Sequence, residues 1–221
     1  MLWSPGLEHS LEFQNTFNDS SGHARHADQG GGAPAYADGV IGRCWACDGV
    51  IERSTTSFQF PAGDVIVIAF RALFSQVGVN SQVIYGAVSA EADYSFNFWQ
   101  DLASTQFRAY ASDPRQHIQT ADGFITWEES HHLGVIADHG AALQYFYKDG
   151  ALFEAPSALV AATVPTQDRA KDVGHYSGGG YRMESGGLVD DIRTYILPAS
   201  LSAACYLANM KRLMMGMSPT W

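Results

Sequence analysis

Apolar alternation in this chain is short-ranged and repeatedly interrupted, and that rhythm restricts the fold more than any other feature. QVIYGAV (82–88), YSFNFWQ (94–100) and TQFRAY (105–110) are separated by polar or alanine-rich turns. Their spacing of about eight to twelve residues suits strands rather than helices. Asp122-Gly123 leads into FITW (124–127), and HHLGVIADHG (131–140) precedes ALQYFYKDGALF (142–153), where Lys148-Asp149-Gly150 is a hairpin signal. Upstream, 7–17 reads as a first strand with Leu11, Phe13 and Phe17, 18–39 as a long loop, and 40–60 as two short strands around Asp48-Gly49. Residues 65–73 alternate Val, Ile and Phe and read as a central strand, while 155–172 is a polar, alanine-rich crossing segment. Helical periodicity begins only after Pro198. The pattern predicts an all-β, two-sheet antiparallel sandwich with a short C-terminal helix.

Composition allows such a core and narrows the partners. Of the 221 residues, 46% are hydrophobic and 12% aromatic, enough for one sizeable β-sandwich. Thirteen Lys and Arg against 23 Asp and Glu give a formal charge of −10, which repels phosphate backbones and argues against nucleic acid. The opening MLWSPGLEHS has no basic, apolar leader pattern, and no run approaches the ~18 apolar residues of a membrane span. The expectation is a chain without signal peptide or membrane insertion.

Three cysteines make a poor disulfide framework. Cys44 and Cys47, three apart in an extended segment, point to opposite faces and read as small strand residues. His23, His26, His131, His132 and His139 lack the helical spacing of a zinc site. Glu128-Glu129 are adjacent and would point apart, and Glu91/Asp93 lack a third acid, so no glycosidase pair is visible. An enzyme is not expected.

The chain closes on GGLVDDIRTYILPASLSAACYLANM (186–210). Val189, Ile192 and Tyr195 make a strand headed by Asp190-Asp191, Pro198 stops the ladder, and Ser200-Leu201-Ser202 opens a helix with Leu201, Cys205, Leu207 and Met210 as apolar positions. Together with FQNTFNDSSGHARH (13–26), GRCWACDGVIE (42–52) and SHHLGVIADHGAALQYFYKDGALF (130–153), this motif resembles the concanavalin A-like lectin/glucanase superfamily, closest to its LamG-like jelly roll. Cys47 replaces the usual aromatic and Ser130 the usual Trp. The resemblance assigns residues 1–213 to a LamG-like domain and leaves 214–221 as a tail. It also implies a calcium ion shared by Asp19, the carbonyl of Gly22, Asp190 and Asp191, because loops of Asp, Asn and Gly supply calcium's oxygen ligands.

Exposed aromatics are the other candidate site. Trp99, Trp127, Tyr110 and Tyr181 are the residues that could stack on sugar rings, with Asn97 and Gln100 beside the first. The expected function is a non-catalytic structural or decoration subunit of a phage-type virion, with other subunits or a second copy as partners. The tail Leu213, Met214, Met215, Met217 and Trp221 would then dock. The alternative is an extracellular, calcium-dependent carbohydrate-binding module with a glycan as partner.

Overall fold

The computed structural model describes residues 6–14, 16–27, 33–40, 42–49, 53–76, 81–87, 96–101, 104–112, 116–160, 163–166, 168, 170–176 and 181–221. In chain order the elements are β1 (Leu7–Leu11), β2 (Ala35–Asp38), β3 (Arg43–Ala46), β4 (Arg53–Ser54), β5 (Val65–Leu73), β6 (Gln82–Ala87), β7 (Phe96–Gln100), β8 (Phe107–Ala111), β9 (His117–Gln119), β10 (Ser130–Asp138), β11 (Leu143–Lys148), β12 (Ala151–Leu152), β13 (Ser157–Ala158), β14 (Lys171–Val173), β15 (His175–Tyr176), β16 (Tyr181–Arg182), β17 (Leu188–Leu197) and α1 (Ala203–Met214). A nine-stranded sheet has the order β12-β11-β10-β5-β17-β3-β2, with β1 added to β17 and β13 to β11. A six-stranded sheet has the order β4-β14-β6-β7-β8-β9, and β15-β16 is a separate hairpin. The strand pairs are antiparallel, and the expected two-sheet jelly roll with a C-terminal helix is the observed fold.

The central strand β5 is almost wholly apolar because both of its faces are covered. Ile66, Ile68, Phe70 and Ala72 enter the core between the sheets, while Val65, Val67 and Ala69 enter a second core under α1. The helix contributes Tyr206, Met210 and Leu213 to that second core, a stripe at i, i+4 and i+7. Of the expected apolar positions, Met210 is fully buried, while Leu201 and Leu207 pack at the margin. Gly134 faces the helix, where an added Cβ would stand 2.7 Å from the Met210 sulfur, so a larger residue there would force the Met210 side chain to shift. The helix start is pinned by buried Asp138, which accepts bonds from the Tyr206 hydroxyl and the Ser200 hydroxyl, both at 2.6 Å.

β17 carries a bulge at Asp190–Ile192, with Asp191 at φ 64°. The extra residue shifts the pleat, so Val189 and Ile192 both face the inter-sheet core although they differ in parity. Three local expectations change. Residues 35–38, read as loop, form β2 on the edge beside β3. FITW (124–127) forms no strand, and Phe124 and Ile125 fill the core from a turn. The crossing segment ends in β14, which joins the six-stranded sheet.

The tail is folded onto its own domain. Trp221 lies 5.6 Å from the Tyr195 ring, the Thr220 amide donates to Asn209, and Arg212 donates to the Ser218 carbonyl. Leu213 is buried within α1, and Met215 and Met217 stay exposed. The expected five-residue docking element is therefore split, because its largest members already have an intramolecular apolar partner.

Candidate functional site

The outer face of the six-stranded sheet is built by simple alternation. Phe98 of β7, Phe107, Ala109 and Ala111 of β8, Ile118 of β9 and Val173 of β14 point into the inter-sheet core. Residues between them must point away. The register aligns these outward residues into two rows. One runs Asp172, Gly86, Asn97, Tyr110, His117, and the next runs Val83, Trp99, Arg108, Gln119.

The aromatic part is a compact cluster. The Trp99 ring meets Tyr110 edge-on at 5.3 Å and Tyr181 of β16 at 6.3 Å, and Tyr110 lies 5.3 Å from His117. Trp99 and Tyr110 keep only their margins exposed, at 8% each, whereas His117 is open to solvent. Asn97, in the Tyr110 row, is fully buried, and among the described residues neither atom of its amide is hydrogen-bonded.

Beside the rings lies a polar network. Arg108 Nη2 is 2.9 Å from Asp101 Oδ2, and Arg108 Nε donates to Gln119 Oε1 at 3.0 Å. Gln119 Nε2 donates to Asp101 Oδ2 at 3.2 Å and also contacts Gln106 Oε1. The Arg108 side chain is 31% exposed and that of Asp101 11%, so the network borders solvent next to Trp99. Donors and acceptors fixed beside an aromatic surface suit a polyhydroxylated ligand. Asp101, Arg108, Gln119 and His117 were absent from the sequence-derived candidates. Alternation within FRAYA and HIQ would have paired Arg108 with Tyr110 and His117 with Gln119, but only the strand register makes these pairs neighbours, and Asp101 joins them from just past the end of β7.

The other candidates scatter. Trp127 is half-buried against the inter-sheet core and bridges Phe74, so it does not join Trp99, Tyr110 and Tyr181. Cys44 and Cys47 are free thiols. Cys47 lies in the inter-sheet core, whereas the Cys44 sulfur points to the Ala37 carbonyl, on opposite sides as expected. The histidines have separate partners: His26 accepts from the Asp19 amide, His131 lies 2.6 Å from Asp149, and His139 donates to the Ala111 carbonyl. Glu91 and Asp93 lie outside the described residues.

The four residues nominated for calcium divide between two places. Asp19 accepts bonds from the Ser10 and Ser21 amides on Oδ1, and from the Ser21 hydroxyl and Arg25 amide on Oδ2, at 2.8–3.0 Å. Gly22, at φ 98°, turns this same loop. Asp190 instead accepts from the Val40 amide at 3.1 Å, and Asp191 from Arg193 Nε at 2.9 Å. Asp190 and Asp191 border a cavity of about 280 Å³ with Glu12, Gln14, Arg193 and Gly216. Four donors fill about four lone-pair sites of a carboxylate, and their protons point where a cation would sit. Asp19 therefore does not fit a shared calcium site. Among the described residues no group of three or more His, Cys, Asp or Glu is placed to hold a metal. Burial pushes the Asp19 carboxyl up, but the Arg25 and Ser21 hydrogen bonds outweigh it and hold its pKa below the ordinary value.

A melting experiment separates the two roles. Chelator is expected to leave the melting temperature unchanged, while Asp19→Ala, which orphans four donors, lowers stability by about 2–3 kcal/mol. A melting point that drops with chelator and recovers with calcium would restore the ion.

No protein-family model matches the sequence, and no curated protein matches it. Among the described residues no helix is long and apolar enough to cross a membrane. Solved structures do match. One is domain 4 of a GH43 extracellular arabinanase from Geobacillus stearothermophilus in complex with arabinotriose, at 16% identity and TM-score 0.67, covering 96% of this chain and 99% of that one. Another is the botulinum neurotoxin serotype G binding domain, at 10% identity and TM-score 0.67, covering 94% of this chain and 50% of that one. A third is the serotype D ligand binding domain in complex with N-acetylneuraminic acid, at 10% identity and TM-score 0.66, covering 96% and 51%. The chain spans about half the length of these toxin domains. At such identities the likeness shows the fold, which is a jelly-roll β-sandwich.

Proposed function

We propose that this chain is a non-catalytic carbohydrate-binding jelly roll whose binding surface is the outer face of the six-stranded sheet. The observation that carries the reading is the Trp99–Tyr110–Tyr181 cluster with the Asp101–Arg108–Gln119 network beside it. Sugar rings offer C–H faces to aromatics and hydroxyls to fixed polar groups, and this face provides both. Two matching folds support it by analogy, since one was solved with arabinotriose and another with N-acetylneuraminic acid. The LamG-like kinship is kept as part of the proposal, supported by the order of the opening loop, hairpin and closing strand. The virion-subunit expectation would use the C-terminal tail for docking, and two of its members, Leu213 and Trp221, pack on their own domain.

Titration against a panel of neutral and acidic oligosaccharides tests the reading. Trp99→Ala and Tyr110→Ala are expected to weaken the strongest interaction about tenfold or more. Parent-like binding by both variants would remove this face from consideration.

A further inference from the structure

We infer that Asp101 and Arg108 form the specificity-determining pair of this face and select a neutral glycan through two adjacent ring hydroxyls. This rests on the glycan reading above and adds the ligand class and the residues that choose it.

The pair is half engaged and half open. Oδ2 of Asp101 holds Arg108 Nη2 and Gln119 Nε2, and Nε of Arg108 holds Gln119 Oε1. Among the described residues nothing bonds Oδ1 of Asp101 or Nη1 of Arg108. The fork is thus fixed by its inner atoms and leaves one carboxylate acceptor and one guanidinium donor for a ligand. Two hydroxyls on neighbouring ring carbons match that pattern, one donating to the carboxylate and one accepting from the guanidinium. Trp99 pairs with Arg108 in the β7–β8 register, so the exposed margin of the aromatic cluster adjoins the fork where a sugar's C–H edge would lie.

Charge decides between neutral and acidic sugars. Asp101 at 2.9 Å compensates Arg108, the one Lys or Arg in the two outward rows. The whole chain carries −10. A ligand carboxylate would meet a guanidinium already neutralised and a surface of its own sign, whereas a neutral diol meets no such penalty.

Isothermal titration with arabinotriose, cellotriose and sialyllactose, with melting curves to confirm folding, tests the pair. The parent is expected to bind a neutral trisaccharide more tightly than sialyllactose. Asp101→Asn and Arg108→Leu should each weaken that neutral binding about tenfold or more. Arg108→Lys should fail to rescue it, because a lysine ammonium cannot hold Gln119 and Asp101 while offering a further fixed donor. Asp101→Asn should also narrow the preference against sialyllactose by leaving Arg108 uncompensated. Met215→Ser, on the helix side of the molecule, should bind like the parent. A parent that prefers sialyllactose overturns the inference. So does full neutral binding by both fork variants while Trp99→Ala loses it, and in either case the glycan face stands. If the parent binds none of the three sugars, or if Trp99→Ala and Tyr110→Ala bind like the parent, the glycan reading itself falls and the pair falls with it.

Discussion

Lowering the pH from 7 to 4 is expected to remove about 3 kcal/mol of stability, most of it below pH 6.5. Two imidazoles are sealed in the neutral form. His9 is 0% exposed, its Nε2–H donates to the Arg25 carbonyl at 2.9 Å, and its Nδ1 faces the Tyr85 hydroxyl of the opposite sheet. Burial lowers its pKa to about 4 against the partial help of Asp19. His132, 4% exposed, is held at about 4 by burial and then by Arg71. In the unfolded chain both titrate near 6.5, so between 6.5 and 4 the unfolded state binds protons that the native state refuses. Each histidine then removes about 3 kcal/mol. Asp191 pushes the other way. Burial raises its carboxyl to about 6 despite Arg193, so on acidification from 6 to 4 the native state takes up a proton first. That offsets roughly one histidine. Urea midpoints at pH 7, 5.5 and 4 should fall in that order, and His9→Gln with His132→Gln should flatten the trend. A midpoint level across the range would mean that the two imidazoles are not neutral in the fold.

Trp45→Ala is expected to cost about 3–5 kcal/mol, a large part of the ~5–15 kcal/mol typical of a domain. Trp45 is 1% exposed, with Phe13 at 6.3 Å and Phe17 edge-on at 5.3 Å. Its far edge lies over Gly174, where an added Cβ would stand 2.2 Å from the indole and where φ is +70°. Gly174→Ala should therefore destabilise the parent through both a steric clash and a left-handed backbone. In the Trp45→Ala background only the backbone part remains, so the two penalties should sum to less than their separate values. Strict additivity in urea unfolding would show that the ring does not occupy the space over Gly174.

What the sequence disclosed follows from how local each signal is. Strands 82–87, 107–111, 130–138 and 143–148 were legible because alternation and turn residues act over a few positions, and Asp149-Gly150 takes up positive φ as a hairpin turn requires. β2 was missed because AYAD has little apolar pattern and becomes a strand only by pairing with β3. Three of four aromatic candidates met on one face, but the fork beside them was invisible. Asp101 lies just past the end of β7, Arg108 on β8 and Gln119 on β9, and no spacing rule links residues that only the folding of these segments brings together. The calcium expectation drew on the order of motifs. The bonding of Asp19 to Ser10, Ser21 and Arg25 depends on a loop conformation that order does not determine.

The position of β17 bears on how the chain can reach this fold. Residues 188–197 lie in the middle of the larger sheet, bonded to β5 on one side and to β3 and β1 on the other, yet every other described strand precedes them in the sequence. During synthesis β5 must wait for a neighbour made more than a hundred residues later, and β1 longer still. Contacts of such separation make folding slow, and until they form one side of β5 remains an open edge. The six-stranded sheet, whose β6 to β9 follow one another directly, can assemble earlier. The last described strand of the sandwich is thus the one that closes the core, and a chain stopped before it would expose its most hydrophobic strand to pairing with other copies.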